Sequence, residues 1–249
     1  MAALSLTAVL VFAGALYLRG WLHRRLMAGW RAGSFFLGLL ATWVAAVSPL
    51  ASWDSHMLTA HMIQHVLLMT IAPPLIWLGE PLIALWPPEW SFPKHLGRFL
   101  GHPAFTWLAA AAALIVWHVP AMLRLGMQSP MWHFIEHVSF FATGLLFWWP
   151  VIQPWPSVAR SPRWSLLLYL FLATVPCDVL SGLLVFSDRV VYPMYLCTPQ
   201  IGGLSPLEDQ QCAAAFMWTC VTVVFFVAGT ILSVQMLSPK TTLQEHISV

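Results

Sequence analysis

Charged side chains are scarce in this 249-residue sequence. Asp, Glu, Lys and Arg together make up 8% of it, whereas an ordinary soluble domain has about a quarter. Apolar residues make up 59%, and the mean hydropathy is +0.77. This composition excludes a conventional soluble domain and predicts a membrane protein. The formal net charge of +2 gives no indication of nucleic-acid binding.

Several motifs of soluble enzymes are also missing. The sequence has no glycine-rich phosphate loop and no nucleophile elbow. His61 and His65 have the spacing of a zinc-peptidase helix, but Met62 stands where that motif carries its general base. These absences favour a protein that is not an enzyme. Four cysteines are too few for a disulfide framework, although a single Cys197 to Cys212 bond is possible in an oxidising compartment.

Apolar runs of spanning length are what the chain has in abundance. A transmembrane helix needs about 20 apolar residues, and such runs recur about seven times, leaving no room for a separate soluble domain. We therefore predict an all-α polytopic helix bundle that forms one integral membrane domain over residues 1–249. The predicted spans are approximately 2–18, 33–49, 57–79, 104–120, 131–150, 164–186 and 211–237.

The distribution of basic residues predicts the orientation of these spans. Only Arg124 and Arg189 follow even-numbered runs, whereas the other nine follow odd-numbered ones: Arg19, Arg24, Arg25, Arg31, Lys94, Arg98, Arg160, Arg163 and Lys240. Because cytoplasmic loops are enriched in Lys and Arg, this bias predicts an outside amino terminus and a cytoplasmic carboxyl terminus. The first run does not resemble a cleavable signal, since its basic cluster follows the apolar segment.

Histidines stand out inside the predicted spans. His61 and His65 lie four residues apart in the third run, so on a helix they share one face about 6 Å apart. His133 and His137 repeat this spacing at the start of the fifth run, and His118 ends the fourth. With the predicted orientation, all five lie in the outer layer of the membrane. Ionisable residues within spans are costly and usually mark a functional site.

The residue types in this layer indicate a metal. Neutral imidazole binds copper, zinc or iron. The nearby sulfur atoms of Met62, Met69, Met217 and Cys177 or Cys212 favour copper, the reduced ion in particular. Glu136, Asp178 and Asp209 are candidates for additional ligands or for partners that orient the imidazoles. Asp209 has a structural alternative as the N-cap of the last span. Two other interpretations compete with a bound copper ion: haem held by the same histidines, and a copper permeation path. Zinc is the other candidate ion.

At these residues the chain resembles a known family. The similar blocks are His61 to His65 running on to Pro73-Pro74 and Leu78 to Pro81, Trp117 to Pro120, His133 to His137, Phe147 to Pro156, and Asp209-Gln210-Gln211 to Met217-Trp218. They are similar to the CtaG family of bacterial cytochrome c oxidase assembly proteins, the polytopic type associated with caa-type oxidases. Where that family tends to have glycine after its Asp-Gln pair, this chain has Ala213 to Ala215.

The resemblance implies a seven-span protein of the bacterial inner membrane that helps to mature cytochrome c oxidase, with copper delivery or copper-site assembly as its role. It makes His61, His65, His118, His133 and His137 the candidate metal ligands, with Asp209 as a further motif residue. The expected partners are oxidase subunits, a periplasmic copper chaperone, membrane lipid and a second copy of the chain. A membrane redox protein and a copper transporter remain as alternatives.

Overall fold

A computed structural model describes residues 2–24, 28–85, 101–154, 162–197 and 203–237. Every regular element in these ranges is helical, which confirms the all-α prediction. The elements are α1 (Ala2–Arg24), α2 (Gly29–Val47), α3 (Leu50–Trp53), α4 (Leu58–Val66), a π-helical segment (Leu67–Ile71), α5 (Ala72–Leu78), α6 (Pro81–Leu85), α7 (Pro103–His118), α8 (Pro120–Gln128), α9 (Pro130–Ile152), α10 (Arg163–Val185), a 3-10 turn (Pro193–Leu196) and α11 (Pro206–Leu237).

The described residues contain six helices long and apolar enough to cross a membrane, or seven if α7 and α8 form one broken span. These two helices meet at an angle of 76°. The bend falls at Val119, whose backbone is extended, just before Pro120. A proline disfavours α-helical geometry in the residue before it, so the sequence itself ends α7 at this point.

The last helix begins earlier than the apolar pattern predicted, at Pro206 instead of residue 211. Ser205 caps it: the Glu208 backbone N–H donates to Ser205 Oγ at 3.3 Å, and the Ser205 N–H donates to Glu208 Oε2 at 2.7 Å. This reciprocal pair is a capping box, which satisfies donors that the helix itself cannot. The alternative assignment of Asp209 as the N-cap of this helix is therefore wrong.

The third span is interrupted by a π-helical segment, Leu67–Ile71, where the prolines Pro73 and Pro74 follow. A proline has no N–H to offer and its ring collides with the carbonyl four residues earlier, so regular α-helix is disfavoured here. The Ala72 N–H instead donates to the Leu67 carbonyl, five residues back. The wider turn lets the span continue without the hydrogen bonds that the prolines remove.

Helix α9 approaches this interruption most closely at Gly144. A Cβ atom there would lie 2.7 Å from the Met69 carbonyl oxygen and 2.8 Å from the ring of Pro73. Real Cβ atoms do not come so near to backbone, so only glycine allows the two segments to pack at this distance. The close approach holds the amino-terminal half of α9 beside α4, where both helices carry their histidines.

The outer faces of the bundle carry large exposed apolar side chains, among them Phe12, Phe171, Leu183 and Phe226. Together with the apolar helices they indicate a multi-pass membrane protein. Five of the basic residues used for the orientation lie outside the described residues (Arg25, Lys94, Arg98, Arg160 and Lys240), and the orientation stays a prediction. All four cysteines are free thiols, so Cys197 and Cys212 are not bridged in this structure.

Candidate metal centre

The five predicted ligand histidines meet at one end of the bundle, where α4 begins, α7 ends and α9 begins. The rings of His61 and His65 have centroids 4.2 Å apart, and those of His133 and His137 are also 4.2 Å apart. The two pairs face each other across α4 and α9, with 5.9 Å between the ring centroids of His61 and His133. His118 joins from α7, 5.8 Å from His65. Three helices therefore contribute imidazoles to one cluster.

A buried carboxylate lies at the centre of this cluster. Glu136 Oε1 is 3.3 Å from Nε2 of His61 and 3.3 Å from Nε2 of His65. The glutamate and His61 are both fully buried. Possible ligand atoms of these three residues lie within 4.8 Å of one another, a spacing compatible with a shared metal ion. An unpaired buried carboxylate would cost several kcal/mol, so its place among imidazoles calls for a compensating charge.

A second carboxylate, that of Asp54, completes the outer part of the cluster. Its Oδ2 is 3.2 Å from His133 Nε2, and Asp54, His61 and His133 form a further group of ligand atoms within 4.8 Å. Burial alone would raise the pKa of the Asp54 carboxyl, but the neighbouring His133 imidazole outweighs it and holds that pKa below its ordinary value. Sequence reasoning missed this residue, although it is the acidic residue in the turn that leads into α4.

Many polar atoms of the cluster have no hydrogen-bond partner among the described residues. They include Nδ1 of His61, Nδ1 of His65, Oε2 of Glu136 and Nε2 of His137. More than nine in ten buried polar groups in native proteins are paired. A set of unpaired imidazole nitrogens and carboxylate oxygens in one place is what a metal centre requires, so the residues present fit a bound ion.

The Met62 thioether lies beside the cluster against His118. The Nδ1–H of His118 donates to the Leu114 carbonyl at 2.7 Å, and its Nε2 is 3.3 Å from Met62 Sδ. The imidazole and the thioether are both buried. Met62 thus lies where the sequence analysis expected a sulfur ligand, in contact with one of the five histidines.

The other two predicted acidic residues lie elsewhere. Asp178 is on α10 and belongs to neither of the two groups of possible ligands found among the described residues. Asp209 instead binds the start of α4. Its Oδ2 accepts the Leu58 N–H at 2.6 Å, while its Oδ1 accepts the Thr59 N–H at 3.2 Å and the Thr59 hydroxyl at 2.6 Å. The carboxylate caps the helix that carries His61 and His65, and it acts on the centre only by holding that helix in place.

We expect Asp209→Asn to lower stability without removing the metal centre. The side-chain amide of asparagine has one oxygen, so it can replace one of the two carboxylate acceptors but not both. Hydrogen bonds to a charged group contribute about 1.5 to 3 kcal/mol. The apparent melting temperature in detergent should fall, while the metal bound per folded protein stays unchanged. Glu208→Gln changes the neighbouring acidic residue, which is exposed, and should leave both quantities near their original values. A loss of bound metal from well-folded Asp209→Asn protein would contradict this assignment.

Two tyrosines of the loop before α11 lie over the cluster and were not predicted. The Tyr192 hydroxyl donates to the His118 carbonyl and the Tyr195 hydroxyl to the Asp54 carbonyl, both at 3.0 Å. Gln210 holds the same loop, since its Oε1 accepts the Val191 N–H at 2.7 Å. The Asp-Gln motif therefore has two structural tasks, one for each side chain. The sequence did carry a signal for these structural tasks, because the Asp-Gln motif lies at the start of a helix and directly follows a loop with two tyrosines.

Comparison with known proteins gives distant relatives. The chain is 23% identical over 215 residues to the uncharacterized protein Mb0105 of Mycobacterium bovis and, to the same extent, to the uncharacterized protein MT0111 of Mycobacterium tuberculosis. The match covers 76% of this chain and 32% of each relative, so the chain spans about a third of the length of the curated relatives it matches. No solved structure matches.

A family model covers most of the sequence. It is described as cytochrome c oxidase caa3 assembly factor, and it matches residues 15–238, from the first span to the end of the last. The matched range contains both carboxylates and all five histidines of the cluster, together with Asp209 and Gln210. The chain therefore belongs to the caa3 assembly factor (Caa3_CtaG) family of cytochrome c oxidase assembly proteins.

Proposed function

We propose that this protein binds copper in the histidine and carboxylate cluster and delivers it to cytochrome c oxidase, or helps to build the oxidase's copper site. The observation that carries the proposal is the buried Glu136 oxygen 3.3 Å from both His61 and His65, with His133 and Asp54 beside them. Family membership supplies the oxidase as the client. The metal is cargo, so the proposed role is not enzymatic.

Copper suits the cluster better than the other ions considered. Imidazole and carboxylate ligands accept copper or zinc, and the oxidase client that family membership supplies favours copper as the cargo. Haem is less well supported, because His61 and His65 approach one carboxylate oxygen of Glu136 at 3.3 Å each, an arrangement that fits a shared metal ion. Several ligands from three helices would hold the ion firmly, and the loop with Tyr192 and Tyr195 would limit its escape.

The location follows from the predicted orientation. If the amino terminus is outside, then the end of the bundle with the cluster faces the periplasm of a bacterium, and the protein is in the inner membrane. That side is where a periplasmic copper chaperone would arrive and where the oxidase would receive the metal. A second copy of the chain and the surrounding lipid are further partners in this proposal.

The first test measures metal content by mass spectrometry, together with an optical spectrum, on detergent-purified protein. We expect bound copper without a Soret band, and loss of that copper in the His61→Ala, His65→Ala double variant, which should remain folded in the membrane. The double variant His23→Ala, His102→Ala changes two histidines outside the cluster and is the matched control. A Soret band would indicate a membrane cytochrome instead, and full metal content in the His61→Ala, His65→Ala variant would overturn the proposed centre.

A second test examines the client in cells. The native oxidase should lose copper and activity when the chromosomal gene encodes the His61→Ala, His65→Ala variant, although the variant itself accumulates normally in the membrane. The amounts of oxidase polypeptide and of copper in the purified oxidase are measured together. Fully metallated oxidase in the variant strain would contradict a role in copper delivery.

A further inference from the structure

We infer that Met62 and His118 form a second metal site, selective for Cu(I) and separate from the carboxylate-containing centre. The inference deepens the proposed function and rests on it for the role of the metal, although the binding itself is argued from other atoms. The two sites would give the protein one place for a divalent ion and another for Cu(I).

The tautomer of His118 is set by its backbone partner. A carbonyl oxygen can only accept a hydrogen bond, so the 2.7 Å contact between the Leu114 carbonyl and His118 Nδ1 places a proton on Nδ1. In a neutral imidazole the other nitrogen, Nε2, then carries a lone pair. A metal-binding histidine typically has this arrangement, with its distal N–H donated to a fixed acceptor.

The His118 lone pair faces a second donor of electrons. Met62 Sδ, 3.3 Å from His118 Nε2, has lone pairs and no hydrogen to offer. Two atoms that each offer only a lone pair do not form a hydrogen bond with each other. Both residues are buried: His118 is 5% exposed and Met62 is 1% exposed. A cation bound to both atoms would convert this unfavourable contact into a favourable one. Metal bonds of about 2.0 Å to nitrogen and about 2.3 Å to sulfur give a ligand separation of about 3.5 Å on a tetrahedral ion, close to the observed distance.

The surroundings favour a soft, singly charged ion. His118 and His65 line a cavity of ≈ 60 Å³ whose other walls include the sulfur-containing Met69, Cys177 and Met217. None of the described residues that line it carries a carboxylate. Thioether and thiol ligands select Cu(I), whereas divalent ions prefer carboxylates. In an apolar cavity without a negatively charged side chain in its wall, an ion of charge +1 is also less costly to bury than one of charge +2.

His65 connects the two sites. Its Nε2 is 3.3 Å from Glu136, while its side chain also lines the cavity next to His118. Its Nδ1 lacks a hydrogen-bond partner among the described residues. His65 is thus placed to be a ligand in either site.

The test compares two metals on three versions of the full-length protein in detergent. Cu(I) affinity is measured anaerobically by competition with a chromophoric Cu(I) chelator, and Zn(II) affinity by competition with a zinc indicator. Met62→Leu preserves the size and apolarity of the side chain but removes the sulfur. We expect it to weaken Cu(I) binding by at least about tenfold while Zn(II) affinity changes by less than about twofold. Retained Zn(II) binding also shows that the variant is folded.

Met122→Leu is the matched control, because Met122 is a partly buried methionine packed against a neighbouring part of the core. It should bind both metals like the unmodified protein. Unchanged Cu(I) affinity in Met62→Leu would overturn the second site and leave the proposed function intact. Equal losses of Cu(I) and Zn(II) in that variant would mean one shared site and would also overturn the inference. An unmodified protein that binds neither metal would overturn both proposals.

Discussion

Glu136→Gln should remove most of the stabilisation that a bound metal gives, without destabilising the metal-free protein. The amide has the same shape as the carboxylate, and its oxygen can still accept a hydrogen bond from the imidazoles of His61 and His65, which approach the same Glu136 oxygen. What it loses is the negative charge that a divalent ion would neutralise. Replacing a buried charge by a neutral group of similar size is often neutral or even stabilising. The metal-free variant should therefore melt at the same temperature or slightly higher.

The effect should appear when metal is added. A loss of about 100-fold in affinity removes about 2.7 kcal/mol of the stabilisation that a saturating ligand provides. The measurement is the apparent melting temperature in detergent with and without Zn(II) or copper. Asp178→Asn removes a carboxylate that lies in neither of the two ligand groups, and this variant should respond to metal like the unmodified protein. A Glu136→Gln protein that metal still stabilises fully would place the ion elsewhere.

Gly144→Leu should have the largest effect on the fold itself. A Cβ at this position would lie 2.7 Å from the Met69 carbonyl oxygen and 2.9 Å from its Cα. Both atoms belong to the backbone of the π-helical segment, so they cannot move aside as a flexible side chain would. Overpacking typically costs 1 to 3 kcal/mol, and a clash with backbone should cost more than about 3 kcal/mol. Because α9 would move away from α4, the two histidine pairs should also separate.

The measurements are the yield of monodisperse protein, its apparent melting temperature and its metal content. Gly182→Leu is the control: this glycine is also inside a membrane-spanning helix, but a Cβ there would meet no atom within 4 Å. It should be tolerated, since leucine forms helix better than glycine by up to about 1 kcal/mol. If Gly144→Leu melted like the Gly182→Leu protein, the two helix segments would not pack at the distance described.

Most of the helices and the candidate ligands were predictable because their signals are local. Long apolar runs predict spans through a composition that any window of 20 residues displays. The spacing of His61 and His65, like that of His133 and His137, puts each pair on one helical face whatever the rest of the chain does. The break at Pro73 and Pro74 was predictable for the same reason, because proline disrupts a helix through its own ring and its missing N–H. The π-helical form of that break was not, because it depends on how the span continues beyond it.

The roles of the carboxylates could not be read from the chain in the same way. Glu136 meets His61 across 75 residues, and Asp209 meets Leu58 across 151. Sequence reasoning grouped Glu136, Asp178 and Asp209 as candidate ligands or orienting partners and missed Asp54. In the folded protein Glu136 and Asp54 join the histidines, Asp209 caps α4, and Asp178 belongs to neither group of possible ligands among the described residues. Such pairings depend on which faces of α4, α9 and α11 pack together, and close approaches such as that at Gly144 decide this packing. Helix periodicity specifies what lies on each face, but only packing between distant segments specifies which faces meet.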